Sequence, residues 1–412
     1  MRQLTAEFIR HGTPAFRRTN LGMFAAGVAT FGLLYCVQPL MPEFSRQFEV
    51  TAAQSALSLS LTSAVLAVTM LFAGPLSDLW GRKIVMTLSL LSSALIVLLS
   101  AAAPTWHDFL LLRALLGLTL GGVPAVGMTY LTEEVHPDSI GLGMGLYIGG
   151  NAAGGLGGRM IASVLTDFFG WRTGIAAMGA IGGIAAWVFV RSLPPSVHFI
   201  RHPLRLRSSL QRFGALFRDP GLPWLFAEGF VLLGSFVTVY NYVGYRLMAP
   251  PYAMSQAAVG MIFSVYVVGM FSSSWIGHLA GRLGRRKVLW TMFVLMLGGL
   301  ALTLGAAIWL IIAGIVVITF GFFGGHSIVS SWVGRRAGRE KAQAAATYLF
   351  AYYLGSSVAG AAGGLFYADR GWNGVAAFVA ALFGVGLLVA LRLYYLPPLP
   401  TPQSIPIEPP LP

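Results

Sequence analysis

The apolar residues of this chain fall into twelve long runs separated by short polar segments. Each run holds about 20 mostly apolar residues, which is the length that an α-helix needs to cross a bilayer core of about 30 Å. We therefore predict an all-α membrane protein with twelve transmembrane spans. The spans are expected near residues 22–41, 55–73, 84–103, 108–130, 140–164, 172–190, 221–246, 257–276, 288–304, 308–332, 344–366 and 372–395.

Composition supports the placement of this chain in lipid. Hydrophobic residues make up 56% of the 412 residues and charged residues only 10%, whereas soluble domains carry about 25% charged residues. Such a chain cannot hide its apolar surface in a water-soluble core. The lipid bilayer is therefore its first expected partner. The single cysteine, Cys36, lies in the first run and cannot form an intrachain disulfide.

The net charge of +13 is distributed unevenly among the predicted loops. Most lysines and arginines lie on the side of the membrane that holds the N-terminus, and basic loops are typically cytoplasmic. We predict a multi-pass protein of the bacterial inner membrane with both termini in the cytoplasm. Nucleic-acid binding is disfavoured, because no basic stretch comes with a soluble domain to present it.

Three short segments recur in order along the two halves of the chain. Gly74–Lys83 is repeated at Gly277–Arg286, 203 residues later, and the tryptophans Trp171 and Trp372 follow similar segments. Phe31–Tyr35 has a counterpart at Phe236–Tyr240. A duplicated six-helix unit is typical of transporters that work by alternating access. The fold class is therefore two pseudo-symmetric six-helix bundles.

The boundaries of the halves follow from composition. Residues 1–190 should form the N-terminal bundle and residues 221–395 the C-terminal bundle. The basic, proline-containing segment 191–220 is predicted to be a cytoplasmic linker, in which a short amphipathic helix could lie on the membrane surface. Residues 396–412 contain eight prolines and are predicted to be a disordered tail.

The repeated basic segment carries a family resemblance. GPLSDLWGRK resembles the signature between helices two and three of the major facilitator superfamily, and its copy has Gly281 in place of Asp78. Arg113 in LLLRALLGLTLGG is similar to the helix-four motif whose arginine is linked to proton coupling in antiporters of that family. The resemblance covers nearly the whole chain. It implies a secondary transporter that uses a proton gradient and no other cofactor, and we expect a monomer.

Span five resembles a more specific group. Gly141, Gly150, Gly154 and Gly158 are spaced as in drug/proton antiporters, although Gly155 stands where that motif has proline and Arg159 where it ends in a second glycine. The phrase MGLYIGGNAAGGLGGR also looks like the acriflavine-sensitivity branch of bacterial members. Small residues four apart in spans five and eleven let helix backbones approach closely. We predict that these glycines form packing or sliding faces between the halves.

The repeated basic segments are candidate gating elements. Asp78 lies beside Arg82 and Lys83 across a tight turn, where it could hold a salt bridge and cap a helix, keeping the cytoplasmic side closed while the protein faces outward. The alternative is that the basic residues only set topology. The candidate gating residues are Gly74, Asp78, Gly81, Arg82, Lys83, Gly277, Gly284, Arg285 and Arg286.

Ionisable residues inside spans are costly and usually face a bundle interior. Glu228 in span seven and His326 in span ten lie at a similar depth, so they could meet and carry a proton; Arg113 is the third candidate for proton coupling. Alternatively, Glu228 faces the headgroups or pairs with Arg218, and His326 binds a backbone carbonyl. Arg159 is expected to extend toward the outer surface or to pair with Asp167.

Uncharged polar and aromatic residues in the spans could contact a small-molecule substrate, or they could be interface and packing residues. No carboxylate reaches the midplane, so a neutral or weakly anionic substrate fits better than a strongly cationic one. The candidate substrate-binding residues are Tyr35, Gln38, Asn151, Tyr240, Asn241, Ser330, Trp332, Tyr348, Tyr352 and Ser356.

These features favour a secondary transporter, most simply a proton-coupled exporter of small organic molecules. An uncoupled facilitator or a lipid flippase of the same fold is the alternative. An integral membrane enzyme is least favoured, because the seven histidines have no metal-ligand spacing and no paired carboxylates mark a catalytic centre. ATP-driven pumping is disfavoured because no Gly-rich phosphate-binding loop occurs.

Overall fold

The computed structural model describes residues 7–199 and 213–396. The regular secondary structure within these ranges is helical, apart from one isolated bridge between Ile9 and Val135. Residues 200–212 of the predicted linker and nearly all of the proline-rich tail lie outside the described residues. Of a helix in the linker, only residues 213–216 are described.

Twelve spans follow one another along the described chain. Those of the N-terminal half are span 1 (Pro14–Tyr35), span 2 (Ala52–Trp80), span 3 (Arg82–Ala101), span 4 (Trp106–Glu134), span 5 (Ile140–Phe169) and span 6 (Trp171–Ser192). Those of the C-terminal half are span 7 (Leu222–Met248), span 8 (Gln256–Leu283), span 9 (Arg285–Leu302), span 10 (Ile308–Arg336) and, in one continuous helix, spans 11 and 12 (Lys341–Tyr394).

The last helix is divided where its backbone leaves the helical region at Arg370 and Gly371. Nine helices of the described chain are long and apolar enough to cross a membrane. Spans 5 and 9 are not among those nine, and one of the nine contains both span 11 and span 12. Twelve predicted runs therefore correspond to twelve helical spans.

Span 1 is the clearest error in the predicted boundaries. It begins at Pro14, well before residue 22, because the Thr13 side chain accepts a hydrogen bond from the Phe16 backbone N–H and Pro14 suits the first helical position. It ends at Tyr35. The apolar residues that follow form a 3₁₀ turn and a short helix, Met41–Phe48, that lie outside the regular span.

Equivalent glycines at the helix junctions of the two halves show the same backbone geometry. Gly81 and Gly284, which close the repeated basic segments, have φ of 96° and 98°. Gly170 and Gly371 precede the two matching tryptophans and have φ of 81° and 56°. Other residues are strained in this region. The duplication seen in the sequence is therefore also present in the backbone.

The glycine-rich helix faces make two kinds of contact, one within a half and one between the halves. Gly150, Gly154 and Gly158 pack against the backbone of span 1, so the span 5 glycines bind a helix of their own half. This corrects the prediction that they lie between the halves. In the C-terminal half, Gly355 packs against span 7 in the same way, whereas Gly364 lies against Ala53 of span 2 and does join the two halves.

We call the end of the molecule that holds Pro14 and Arg336 the N-terminal face, and the other end the opposite face. The halves are joined near the opposite face, where Tyr245 and Ser45 hydroxyls lie 2.6 Å apart and Gln256 Nε2 donates to the Pro39 carbonyl at 2.8 Å. Near the N-terminal face, no hydrogen bond links the halves among residues 7–199 and 213–396. The structure is therefore closed at the opposite face.

Candidate functional site

Arg82 organises the first basic segment at the N-terminal face. Its buried guanidinium binds Asp78 at 2.5 Å and Glu133 at 2.8 Å, and its Nη1 also donates to the Ser77 hydroxyl. Lys83 donates to the Leu193 carbonyl. The cluster thus ties the ends of spans 2, 3, 4 and 6 together within one half. Glu133 was not predicted, although its position at the end of span 4 places it on the same face as the basic segment.

The second basic segment lacks this arrangement. Arg285 donates to the Ser331 hydroxyl at 3.0 Å, and within the described chain neither Arg285 nor Arg286 pairs with a carboxylate. Gly281 replaces the aspartate of the first copy. Gly277 lies against Ser327, whereas Gly74 has open space around it. A carboxylate-bound cluster is therefore present in only one of the two described copies.

Arg113 is held by backbone carbonyls. It is buried in span 4, and its guanidinium donates to the carbonyls of Ser58 at 2.7 Å, Leu34 at 2.8 Å and Leu33 at 3.3 Å. No described carboxylate binds it. These contacts fasten span 4 to spans 1 and 2, and they do not bring Arg113 to Glu228 or His326.

Glu228 is fully buried in span 7, and neither carboxyl oxygen has a hydrogen-bond partner among the described residues. The expected alternatives, exposure to headgroups or a pair with Arg218, are therefore wrong. His326 Nδ1 lies 2.8 Å from the Tyr348 hydroxyl instead of binding a backbone carbonyl. The two candidates do not hydrogen-bond directly, but the Tyr348 ring packs against Gly229, next to Glu228.

Arg159 does not extend toward the surface or pair with Asp167, as was expected. It is 2% exposed, and its Nε donates to Gln38 Oε1 at 2.7 Å while Nη1 donates to the Gly155 carbonyl. Gln38 Nε2 in turn donates to Asn241 Oδ1 of the other half at 2.9 Å. Sequence reasoning missed this residue, although an arginine inside a span was itself a signal.

Aromatic rings surround the Arg159 guanidinium and continue into the C-terminal half. Its Cζ lies 4.1 Å from the Tyr35 ring centroid, 4.8 Å from that of Tyr266 and 5.1 Å from that of Phe263. The remaining rings form a continuous series in spans 7, 10 and 11. They are Tyr240, Phe236, Phe322, His326, Tyr352 and Tyr348.

The predicted substrate-binding residues divide into two sets. Tyr35, Gln38, Tyr240, Tyr348 and Tyr352 belong to, or directly contact, this aromatic series or Arg159, and Asn241 is bonded to Gln38. The other four lie elsewhere. Asn151 packs on Gly27 of span 1, Ser330 donates to the Ser327 carbonyl, Ser356 approaches Ser63 of span 2, and Trp332 is buried with no ring contact to the series in the described structure.

The sequence profile of the Major Facilitator Superfamily matches residues 23–256 and 231–411. The chain belongs to the major facilitator superfamily. It is 50% identical to the inner membrane transport protein YnfM of Escherichia coli, over 94% of this chain and 93% of that protein. It is 46% identical to the transporter YybF of Bacillus subtilis, over 94% and 95% of the two chains.

A more distant relative and two solved structures are also similar to this chain. The multidrug resistance protein MdtG of Salmonella typhi is 31% identical over 66% of this chain and 68% of its own. The nucleoside transporter NupG and a bacterial homologue of the lysosomal transporter Spinster, the latter inward-facing, share the fold with TM-scores of 0.74. Their identities are 15%, and the alignments cover 92% and 93% of this chain and 100% and 97% of theirs.

The chain is therefore a membrane transporter rather than an enzyme, and members of its superfamily generally need no cofactor.

Proposed function

We propose that this transporter exports a small organic molecule across the bacterial inner membrane by alternating access, driven by protons. The observation that supports proton coupling most strongly is Glu228, a fully buried carboxyl group with no hydrogen-bond partner in the described structure. An ionised carboxylate left unpaired in an apolar interior is very costly. Glu228 is therefore a neutral acid in this conformation.

Coupling requires a second conformation in which the surroundings of Glu228 favour its ionised form. A group that is neutral in one conformation and ionised in the other makes the conformational change depend on protons. Span 7 lines the interface between the halves and carries Asn241, which contacts the other half, so rearrangement of this span would change the surroundings of Glu228. His326 and Tyr348, which are hydrogen-bonded nearby, could relay the proton.

Export is supported by three features. MdtG is named a multidrug resistance protein, and span 5 carries the glycine spacing of drug/proton antiporters. The resemblance to the acriflavine-sensitivity branch points the same way. Gly155 and Arg159 depart from the antiporter pattern, and Arg159 lies between the halves. We attribute this departure to substrate choice, as argued in the next section.

We infer that the N-terminal face is cytoplasmic, because its loops are basic; under this proposal the structure described here is inward-facing. Reporter fusions after Arg218 and after Tyr395 should be active only with a cytoplasmic reporter, and a fusion at Arg172 only with a periplasmic one, because basic loops are retained inside. Periplasmic activity at Arg218 or Tyr395 would contradict an arrangement of two six-helix bundles with both termini in the cytoplasm.

The Arg82 cluster is proposed to stabilise the ends of spans 2, 3 and 4 so that they move as one body. Arg82→Ala should lower transport several-fold at near-normal expression, because it leaves Asp78 and Glu133 without their shared partner. Asp78→Asn should have a smaller effect in the same direction, since Glu133 still binds Arg82. Transport assays in inverted vesicles test this.

Arg285→Ala is the matched control, because Arg285 occupies the equivalent turn but binds no carboxylate in the described structure. Equal losses for Arg82→Ala and Arg285→Ala would show that both segments act only through their positive charge. Unchanged transport in both would show that the segments only set topology.

A further inference from the structure

We propose that Arg159 binds the negatively charged group of the transported molecule, so that the substrates are organic anions in which a carboxylate is joined to an apolar body. This inference rests on the proposed transport function and names its substrate class. It was not evident from the sequence, from which Arg159 was expected near the surface.

No described acidic side chain neutralises the charge of Arg159. The side chain is 2% exposed, yet in the part of the chain that the structure describes no aspartate or glutamate binds it. Its partners are the amide oxygen of Gln38 and the carbonyl of Gly155, both uncharged. A buried charge is strongly unfavourable without a counter-ion, and a bound anion would supply one.

The Arg159 guanidinium also retains hydrogen-bond donors that no described residue uses. A guanidinium carries five N–H donors arranged as a fork that matches a carboxylate. In the described structure Arg159 makes one hydrogen bond from Nε and one from Nη1, and Nη2 donates to no described residue. The Nη2 side of the fork is therefore available for a carboxylate oxygen, with a charge-assisted hydrogen bond as the expected contact.

Arg159 differs in its contacts from Arg113, which is equally buried. Arg113 donates to three backbone carbonyls from two neighbouring helices, and no aromatic ring stacks on it in the described structure. Its contacts are those of a residue that holds helices together. Arg159 instead bonds to the side chain of Gln38, at the junction of the halves, and lies within 5.1 Å of three ring centroids.

The aromatic surroundings indicate the rest of the substrate. Tyr35, Tyr266 and Phe263 form an apolar wall around the guanidinium, and the rings continue through Tyr240 and Phe236 toward His326. Aromatic and aliphatic groups pack well on such surfaces. A small molecule with one carboxylate and an apolar ring or chain would match both parts of the site.

Gln38 connects this site to the closed face. Its Oε1 accepts from Arg159 and its Nε2 donates to Asn241 in the other half. A carboxylate that takes the place of Gln38 on Arg159 would free Gln38 and weaken this link between the halves. Substrate binding would then favour opening at the opposite face, which is the direction that export requires.

The test measures binding to the purified full-length protein in lipid nanodiscs, without any gradient. The probes are benzoate and hexanoate, their amides benzamide and hexanamide, and benzylammonium. The thermal unfolding midpoint is recorded over a concentration series, because a ligand that binds only the folded protein raises it. We expect both carboxylates to raise the midpoint of the wild-type protein, and the amides and benzylammonium to have little effect.

Two variants and a control separate recognition of the carboxylate charge from a structural role of Arg159. Arg159→Gln removes the charge, and Gln38→Glu places a carboxylate beside Arg159 that competes with the probe. Asn241 Nδ2 has no partner among the described residues, so a rotated amide could donate to Glu at position 38 and preserve the link. Both variants should weaken benzoate binding about tenfold or more, the scale of a lost charge-assisted hydrogen bond.

Gln256→Glu is the matched control. It adds a carboxylate to the same contact between the halves, but Gln256 binds Pro39 and Ser163 rather than Arg159. Benzoate binding should therefore be retained. The proposal is overturned if the carboxylates do not shift the wild-type midpoint, if the amides shift it equally, or if Arg159→Gln or Gln38→Glu binds benzoate like the wild type.

These outcomes do not depend on proton coupling. If benzoate binding fails but a neutral solute is moved by a proton gradient, the substrate class is wrong and the proposed transport function stands. If benzoate binds through Arg159 but no proton-driven transport occurs, the coupling is wrong and the anion site stands.

Discussion

Replacing Glu228 with glutamine should lower proton-driven transport at least about tenfold while leaving solute exchange intact. Glutamine has nearly the same shape and stays neutral, as the buried acid does here, so the conformation seen in this structure should form normally. It cannot release a proton, however. Exchange of labelled for unlabelled solute needs no net proton movement and should therefore continue.

The measurement uses sealed vesicles with and without an imposed pH gradient. Glu49→Gln is the matched control, because Glu49 is an exposed glutamate at the end of a short helix and should tolerate the same substitution. If Glu228→Gln keeps full proton-driven transport, coupling must involve Arg113 and its surroundings, or the protein is an uncoupled facilitator or flippase of this fold.

Replacing Gly364 with leucine should reduce transport to about a tenth or less. A Cβ at this position would overlap the Cα of Ala53 in span 2, where the two halves close the opposite face. Contacts between two backbones cannot relax by a side-chain rotation, which is why small residues are needed there. The inward-facing conformation would be blocked, although the isolated helix itself would gain helix propensity.

Gly384→Leu in span 12 is the control, because a Cβ there has nothing within 4 Å. Both variants should reach the membrane in similar amounts, but only Gly364→Leu should lose transport. In the Gly364→Leu protein, a cysteine at Ser45, a partly buried position that contacts Tyr245 of the other half here, should also become more reactive toward a membrane-impermeant thiol reagent, since the opposite face stays open. Normal transport by this variant would show that the halves do not need to close at Ala53.

The positions of the spans were predictable because hydropathy alone determines which segments enter lipid. Most predicted boundaries lie within a few residues of the helix ends. Spans 2 and 8 continue seven residues past their predicted ends, to Trp80 and Leu283. Span 1 differs at both ends, since the residues after Tyr35 are apolar but contain Pro39 and Pro42, which break the regular helix. The Thr13-Pro14 start signal was present in the sequence and would have placed its first residue correctly.

The site was less predictable because depth along a helix does not say which way a side chain faces. Arg159 lies about 30 Å from the start of span 5 at 1.5 Å per residue, a depth that suggested the surface. Its direction is set by the tight packing of Gly154 and Gly158 on span 1, which turns Arg159 toward Gln38. Similarly, the contact of Glu133 with Arg82 joins different helices and has no signal within either one.

Alternating access itself can be measured without knowing the substrate. Spin labels would be placed in a Cys36→Ser background, with one pair at Gln47 and Ser255 on the opposite face and a second pair at Asp138 and Arg335 on the N-terminal face. All four positions are exposed. Double electron–electron resonance spectroscopy would then give the distance distribution of each pair in nanodiscs.

We expect two populations that change in opposite senses at the two faces: when the halves separate at the opposite face, they approach at the N-terminal face. The Glu228→Gln variant should shift both pairs toward the conformation described here, closed at the opposite face. A single population that does not respond to Glu228→Gln, or distances that widen at both faces together, would contradict proton-coupled alternating access.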